Sequence, residues 1–322
     1  MDFEAYPIKC KPILKDRIWG GQKLSTLLNK DIGSETTGES WEISTVPGDI
    51  SIISNGTFAE KPLDEIIRAY PDEILGTEVG KRFGTQFPLL FKYLDAREDL
   101  SIQVHPNDEL AKKRHNSFGK TEMWYVMQAD EGSRIIVGFK EAASPEEYLK
   151  HLEDKTLVDI LDQIPVEAGD VFLLDTGTVH AIGAGIVIAE IQQTSDITYR
   201  IYDFDRKDPN GNPRQLHIEE AIEAINYEET DAQKVYERDS NRSNPMVDCE
   251  YFTTNFLPLD GNLPVRKDGS SFTVYMCVDG SFEISYSGMS SKFGKGDTVL
   301  VPAAMSEFEL VGTATLLEIY IS

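Results

Sequence analysis

Along most of this 322-residue chain, short runs of β-branched and aromatic residues are cut off by Gly, Asn, Asp or Pro before they reach helical length. Trp41-Glu42-Ile43-Ser44-Thr45-Val46, Arg134-Ile135-Ile136-Val137-Gly138-Phe139 and Gly185-Ile186-Val187-Ile188-Ala189-Glu190-Ile191 are examples. Side chains branched at Cβ lose rotamer freedom in a helix and pack well on a pleated surface, so the fold class expected is mainly β. Helices enter as short interruptions. Ser144-Pro145-Glu146-Glu147 combines a Ser N-cap, Pro at the first position and Glu at the third, predicting a helix that runs to Leu152. Thr156 predicts a second helix ended by Pro165, and apolar spacing over 107–114, 218–225 and 62–74 predicts three more. From Glu228 to Asn244 the chain turns polar and reads as a connector, beyond which residues 246–322 return to short strands. No apolar run reaches membrane-spanning length.

The formal net charge of −24 argues against nucleic acid or an anionic membrane as partner. Any site for an anion must then be a local basic pocket inside an acidic body. Cys10, Cys249 and Cys277 are scattered and odd in number, so they form neither a disulfide framework nor a ligand pattern. With no basic, then apolar, leader at residues 1–7, the expected location is a reducing cytoplasm.

Chemistry concentrates in Ser101-Ile102-Gln103-Val104-His105-Pro106. Residues two apart on a strand share a face, so Gln103 and His105 point the same way. Glu122 lies in a second strand-like run, and His180 closes a strand, a tight turn and a strand start over 169–180. Two imidazoles, a carboxylate and an amide oxygen on adjacent strands form a donor set suited to zinc with one position open. Spacing alone also admits the plainer reading, histidines satisfied within an apolar core. Of the other histidines, His115 and His151 fall on helices as exposed residues, and His217 opens a helix as a capping or packing residue.

The chain carries a faint internal repeat. Gly169-Asp170, Asp175, Gly177 and His180 align with Gly296-Asp297, Pro302, Ala304 and Glu307. This spacing resembles the second motif of the cupin superfamily, with Asp175 in place of Pro in one copy and Glu307 in place of His in the other. Two cupin-like jelly-roll units are therefore expected, a catalytic one over 1–240 with helical insertions and one without a metal site over 241–322. Packing, or contact between two copies as a homodimer, is left for the second unit.

Ser-Ile-Gln-Val-His-Pro at 101–106, Gly119-Lys120-Thr121-Glu122-Met123-Trp124-Tyr125, Asp175 to Gly183 and Ile191 to Arg200 together resemble type I mannose-6-phosphate isomerase in its short bacterial form. Arg17-Ile18-Trp19-Gly20-Gly21, Ser40 to Ser44, Phe87 to Lys92 and Gln215 to Ile218 extend the resemblance over residues 6–225. It implies one Zn2+ per chain held by Gln103, His105, Glu122 and His180, and interconversion of mannose 6-phosphate with fructose 6-phosphate. Arg200 matches the family's active-site arginine. Ser101, Lys120 and Glu190 match residues lining its substrate pocket, and Trp19, Glu42 and Lys92 are assigned to substrate binding with them. Against the long forms, the chain lacks room for an extra helical domain and lacks a tyrosine just after His180.

Such a reaction moves a proton between C1 and C2 through an enediol(ate). Arg200 stays protonated and so stabilises charge rather than acting as base. Glu190 is the leading base, with zinc-bound water as its competitor and a simple ion pair to Arg200 or Lys120 as the plain reading. Lys92 and Lys120 offer cations for a phosphosugar, and Lys120 is counted with Arg200 and Glu190 among the catalytic residues. Trp41 reads as a wall of the sugar site or as core. Two rivals remain open: another cupin enzyme such as an oxygenase or epimerase, and a sugar-binding or regulatory cupin that keeps metal without turnover.

Overall fold

The computed structural model describes residues 3–207 and 211–322. Its framework is antiparallel β-sheet throughout. Strands between Ile13 and Lys234 form a seven-stranded, a five-stranded and a small two-stranded sheet, and strands from Asn244 to Tyr320 form a six-stranded sheet. In the seven-stranded sheet Leu89–Ala96, Ile186–Gln193 and Glu122–Ala129 lie side by side near the centre. The five-stranded sheet runs Tyr199–Tyr202, Ile102–Val104, His180–Ile182, Arg134–Phe139 and Leu161–Pro165. Leu94, Trp124, Val126 and Ile188 from the first sheet meet Ile135, Val137 and Ile182 from the second in one buried cluster. The two sheets therefore form a sandwich, and the polar end of that sandwich is where the site lies.

Helices cover the outer faces. Asp108–His115, Pro145–Glu153 and Ile218–Ala224 bury Leu110, Tyr148 and Ala221 against Ile102, Val104 and Ile136 of the five-stranded sheet. The Ser144 capping box forms as its sequence predicts, with both reciprocal hydrogen bonds present. Asn107 caps the helix at 108 by accepting from Leu110 N–H at 2.9 Å.

Four expectations need correction. The segment after Thr156 is helical only over Leu157–Ile160 and then becomes the edge strand Leu161–Pro165, where a terminal Pro costs no ladder bond. The helix expected over 62–74 is two helices, Leu63–Ala69 and Pro71–Leu75, because Pro71 cannot continue the first but suits the start of the second. The polar connector holds a short strand, Gln233–Lys234, that extends the seven-stranded sheet. Finally, the C-terminal strands are long: Thr253–Arg266, Thr273–Tyr286 and Glu307–Tyr320 have 14 residues each. Gly261, Gly280 and Gly312 punctuate them in sequence yet sit mid-strand, all with positive φ. A Cβ at Gly280 would lie 2.3 Å from Thr313 O, so these glycines let the ladders bend rather than stop.

The two regions share a core. Phe87 and Phe91 of the first meet Phe272, Val274 and Ile319 of the second in the largest apolar cluster, with the Phe87 and Phe272 rings 4.9 Å apart. Near the N-terminus, Ile8 exchanges backbone hydrogen bonds with Leu300 at 2.8 and 2.9 Å. Among the described residues no helix is long and apolar enough to cross a membrane.

Candidate metal centre and cavity

Strand register assembles the site. In the five-stranded sheet Gln103 lies opposite both His180 and Arg200. In the seven-stranded sheet Trp41, Lys92, Glu190 and Trp124 form one cross-strand row, and Glu122 lies opposite Gln192 one step away. Facing ends of the sandwich thus bring His105, Glu122 and His180 together, with donor atoms all within 4.8 Å of one another and all three side chains buried.

Both histidines are oriented from behind. Nδ1–H of His105 donates to Ile197 O and that of His180 to Thr178 O, each at 2.8 Å. This leaves each Nε2 lone pair facing Glu122, at 3.6 Å for His105 and 3.4 Å for His180. Burial pulls the His105 pKa well below its ordinary value, helped by Lys120, and pulls that of His180 down to about 4. Both rings are therefore neutral ligands at neutral pH. Among the described residues none hydrogen-bonds the buried Glu122 Oε1, an arrangement that is costly unless a cation completes it. The Gln103 amide lies 3.3 Å from His180 Nε2, and a half-turn would put its oxygen at the same place. These observations fit a divalent metal held by His105, Glu122 and His180 with Gln103 beside them.

Beside the triad opens a cavity of about 570 Å³. Trp19, Lys92, Ser101, Gln103, Lys120, Glu190 and Arg200 all line it, which brings together seven of the sequence-assigned residues. Lys120 Nζ reaches Glu122 at 2.5 Å and His105 Nε2 at 3.1 Å. Burial would lower its pKa, but the Glu122 and Glu190 charges outweigh that and raise it. Glu190 accepts from Lys92 at 2.9 Å and from Trp124 Nε1 at 3.2 Å. Against the upward push of burial, Lys92 and Lys120 hold its pKa well down, whereas burial and Glu190 push that of Glu122 up. Of the two partners the plain reading offered Glu190, Lys120 stands 3.9 Å away and Arg200 does not pair with it, and the shorter pair is with Lys92. Arg200 donates to Ser101 Oγ at 3.3 Å and Gln215 O at 2.9 Å, and among the described residues no carboxylate pairs with it. His217 braces its backbone from the next element: the Arg200 N–H donates to His217 Nδ1 at 3.1 Å, and the His217 N–H donates to Arg200 O at 2.8 Å.

Glu42 is not brought to the cavity. Its carboxylate accepts from Lys30 at 2.7 Å and Ser40 at 2.6 Å on the opposite face of its strand. Glu39 lines the cavity instead, held by Arg17 at 2.9 and 3.0 Å and by Trp41 Nε1 at 2.6 Å. Arg17, Glu39 and Arg214 were missed from sequence. The signal for Glu39 was its two-residue offset from Trp41, and for Arg17 its offset from Trp19. Trp41 proves both buried and part of the cavity wall, with the Lys92 ammonium 5.0 Å from its ring centroid.

A β-sandwich whose facing strands converge on a buried His/Glu/His group defines a cupin-type protein with a metal-binding centre. Residues 7–134 match the family description "Phosphomannose isomerase type I, catalytic domain", and residues 243–321 match "Mannose-6-phosphate isomerase, cupin domain". A putative mannose-6-phosphate isomerase of Bacillus subtilis is 35% identical over 97% of this chain and 98% of its own length. The mannose-6-phosphate isomerase of Streptococcus mutans is 36% identical over 96% of each. The crystal structure of mannose 6-phosphate isomerase from Bacillus subtilis superposes with a TM-score of 0.91 at 34% identity, covering 99% of this chain and 100% of that one. The chain belongs to the type I mannose-6-phosphate isomerase family and is an enzyme of the aldose–ketose isomerase class.

Proposed function

We propose that the chain interconverts mannose 6-phosphate and fructose 6-phosphate, using one zinc ion held by Gln103, His105, Glu122 and His180. The observation that carries this reading is the single cavity in which Trp19, Lys92, Ser101, Lys120, Glu190 and Arg200 converge beside the His/Glu/His group. Zinc, when bound there, supplies a Lewis acid that favours developing negative charge on a sugar oxygen.

The protein groups divide the rest. Glu190, ionised and held by Lys92, takes the proton from C2 of the open-chain aldose and returns it to C1 through an enediolate, while the O2 hydroxyl proton passes to O1. Its depressed pKa makes it a weak resting base, and a substrate that draws Lys92 away strengthens it. Arg200, without a carboxylate partner among the described residues, offers its charge to the developing oxyanion. Arg200 is the cavity cation left to meet a phosphosugar, since Arg17 and Arg214, which line the same cavity, are already paired with Glu39 and Asp203. Trp19 and Trp41 wall the sugar. The catalytic work falls to the unit over residues 1–240, and the unit over 241–322 works without a metal.

The test is turnover of mannose 6-phosphate by the purified protein before and after chelation, with zinc added back. Activity lost with chelator and regained with zinc is expected. Unchanged activity in metal-free protein overturns the role of zinc, and absence of turnover in the zinc-loaded protein overturns the substrate.

A further inference from the structure

Lys120 and Glu122 stand on a loop-to-strand junction that is pinned by a group from the far end of the chain. Asp108, the first residue of the helix that follows His105, accepts from Gly119 N–H at 2.7 Å and from Gln193 Nε2 at 3.1 Å through Oδ1. Through Oδ2 it accepts from the Tyr251 hydroxyl at 2.7 Å. Gln193 in turn brackets Thr121: its Oε1 accepts Thr121 N–H at 2.8 Å, and its own N–H donates to Thr121 O at 3.1 Å. The backbone amides on both sides of Lys120 are thus held by one connected network. The junction has no slack, because a Cβ on Gly119 would lie 2.7 Å from Asp108 N and 2.9 Å from Asn107 C.

We propose that Tyr251, Asp108 and Gln193 form a positioning clamp for Lys120 and Glu122, through which the C-terminal unit sets metal retention and turnover in the first. The inference rests on the metal reading above. Tyr251 lies between strands Asn244–Asp248 and Thr253–Arg266, so it reaches the clamp from the region without the metal group. Its ring packs on the shared apolar core, so removing only the hydroxyl breaks the clamp without removing the packing. Networks that orient ligands from behind typically carry roughly 10- to 100-fold in metal affinity when broken. A clamp linked through two further side chains belongs at the lower end.

Tyr251→Phe tests this with three readouts: zinc affinity by competition with a chromophoric chelator, kcat against KM, and amide exchange at Gly119 and Thr121. The expected result is about tenfold weaker zinc, a fall in kcat with KM nearly unchanged, and faster exchange at both amides, all without loss of the folded state. Asp108→Ala should exceed it in each. Wild-type affinity and wild-type exchange in Tyr251→Phe overturn the clamp. Should the wild-type protein bind no metal, or His105→Ala keep it, the metal reading fails instead, and exchange at Gly119 and Thr121 still decides the clamp. If Tyr251→Phe fails to fold, Gln193→Ala read by the same exchange measurement decides it.

Discussion

The turn around His180 and the turn around Glu307 have the same backbone and opposite uses. Asp170 and Asp297 each accept, through Oδ2, the N–H three residues earlier, from Glu167 and Gly294, both at 2.8 Å. Thr178 N–H bonds Asp175 O, as Met305 N–H bonds Pro302 O. Gly169 and Gly296 each donate to a neighbouring strand, at Val126 O and Cys277 O, and take the left-handed conformation the turn requires. Register carries the equivalence further. Leu174 faces Glu122 where Val301 faces Thr273, and His180 faces Gln103 where Glu307 faces Arg266. Glu190 faces Trp124 where Glu318 faces Tyr275. Three of the four proposed ligand positions, Gln103, Glu122 and His180, thus correspond to Arg266, Thr273 and Glu307 in the second unit, a set without imidazole. Backbone hydrogen bonds fix the turn in both units; the side chains placed on it differ.

The largest effect that would break this comparison is at its tip. His180→Ala should abolish metal binding and turnover together, while Glu307→Ala, on an exposed ion pair with Arg266, should change neither. Metal content by elemental analysis beside kcat checks both, and full metal in His180→Ala would remove the site.

The two buried glutamates come next. Glu190→Gln should cut kcat by roughly 10²–10⁴-fold with the fold intact. Glu318→Gln should leave kcat alone and cost about 1–3 kcal/mol of stability, because Lys267, Asn255, Ser243 and Tyr275 all donate to that carboxylate. Burial pushes the Glu318 pKa up, but Lys267 and the hydroxyl and amide donors outweigh it and hold the pKa below its ordinary value. Its contribution is therefore complete above the ordinary carboxylate range and is lost as pH falls through the lowered folded value. Denaturant titrations across acidic pH should show a shallower loss of stability in Glu318→Gln than in wild type.

The smallest effect sharpens the comparison. Gln103→Ala should weaken zinc by more than the roughly tenfold expected of Tyr251→Phe, because it removes a proposed donor rather than a support behind one, and Arg266→Ala should leave zinc affinity unchanged. Equal effects from both would show that the second unit reaches the metal by a route other than register.

How far the sequence could be read depends on whether a residue's neighbours constrained its face. Gln103 and His105 were legible because their strand shows one polar and one apolar side, so a spacing of two had meaning. Thr37–Ile43 gives no such contrast, since all seven residues are buried. Glu39 and Trp41 face the cavity, while Ser40 and Glu42 face Lys30, and no local pattern separates the two carboxylates. Glu42 was therefore assigned to the wrong side. Arg214 joins the cavity from beyond the strand that carries Arg200, tied to Asp203, and such long-range placement leaves no periodic trace. The helix at Pro145 was legible to its cap because capping is local chemistry. The long C-terminal strands were not, because Gly261, Gly280 and Gly312 read as stops when the ladder uses them as bends.

The paired backbone bonds between Ile8 and Leu300 also set an order of events during synthesis. A ribosome delivers the chain from its N-terminus at about 5–20 residues per second, so Ile8 emerges roughly 15–60 s before the strand it must pair with. During that interval its backbone donor and acceptor are an open edge, available to any other extended segment. Until Thr298–Val301 emerges, the segment at Ile8 has no partner for these two bonds.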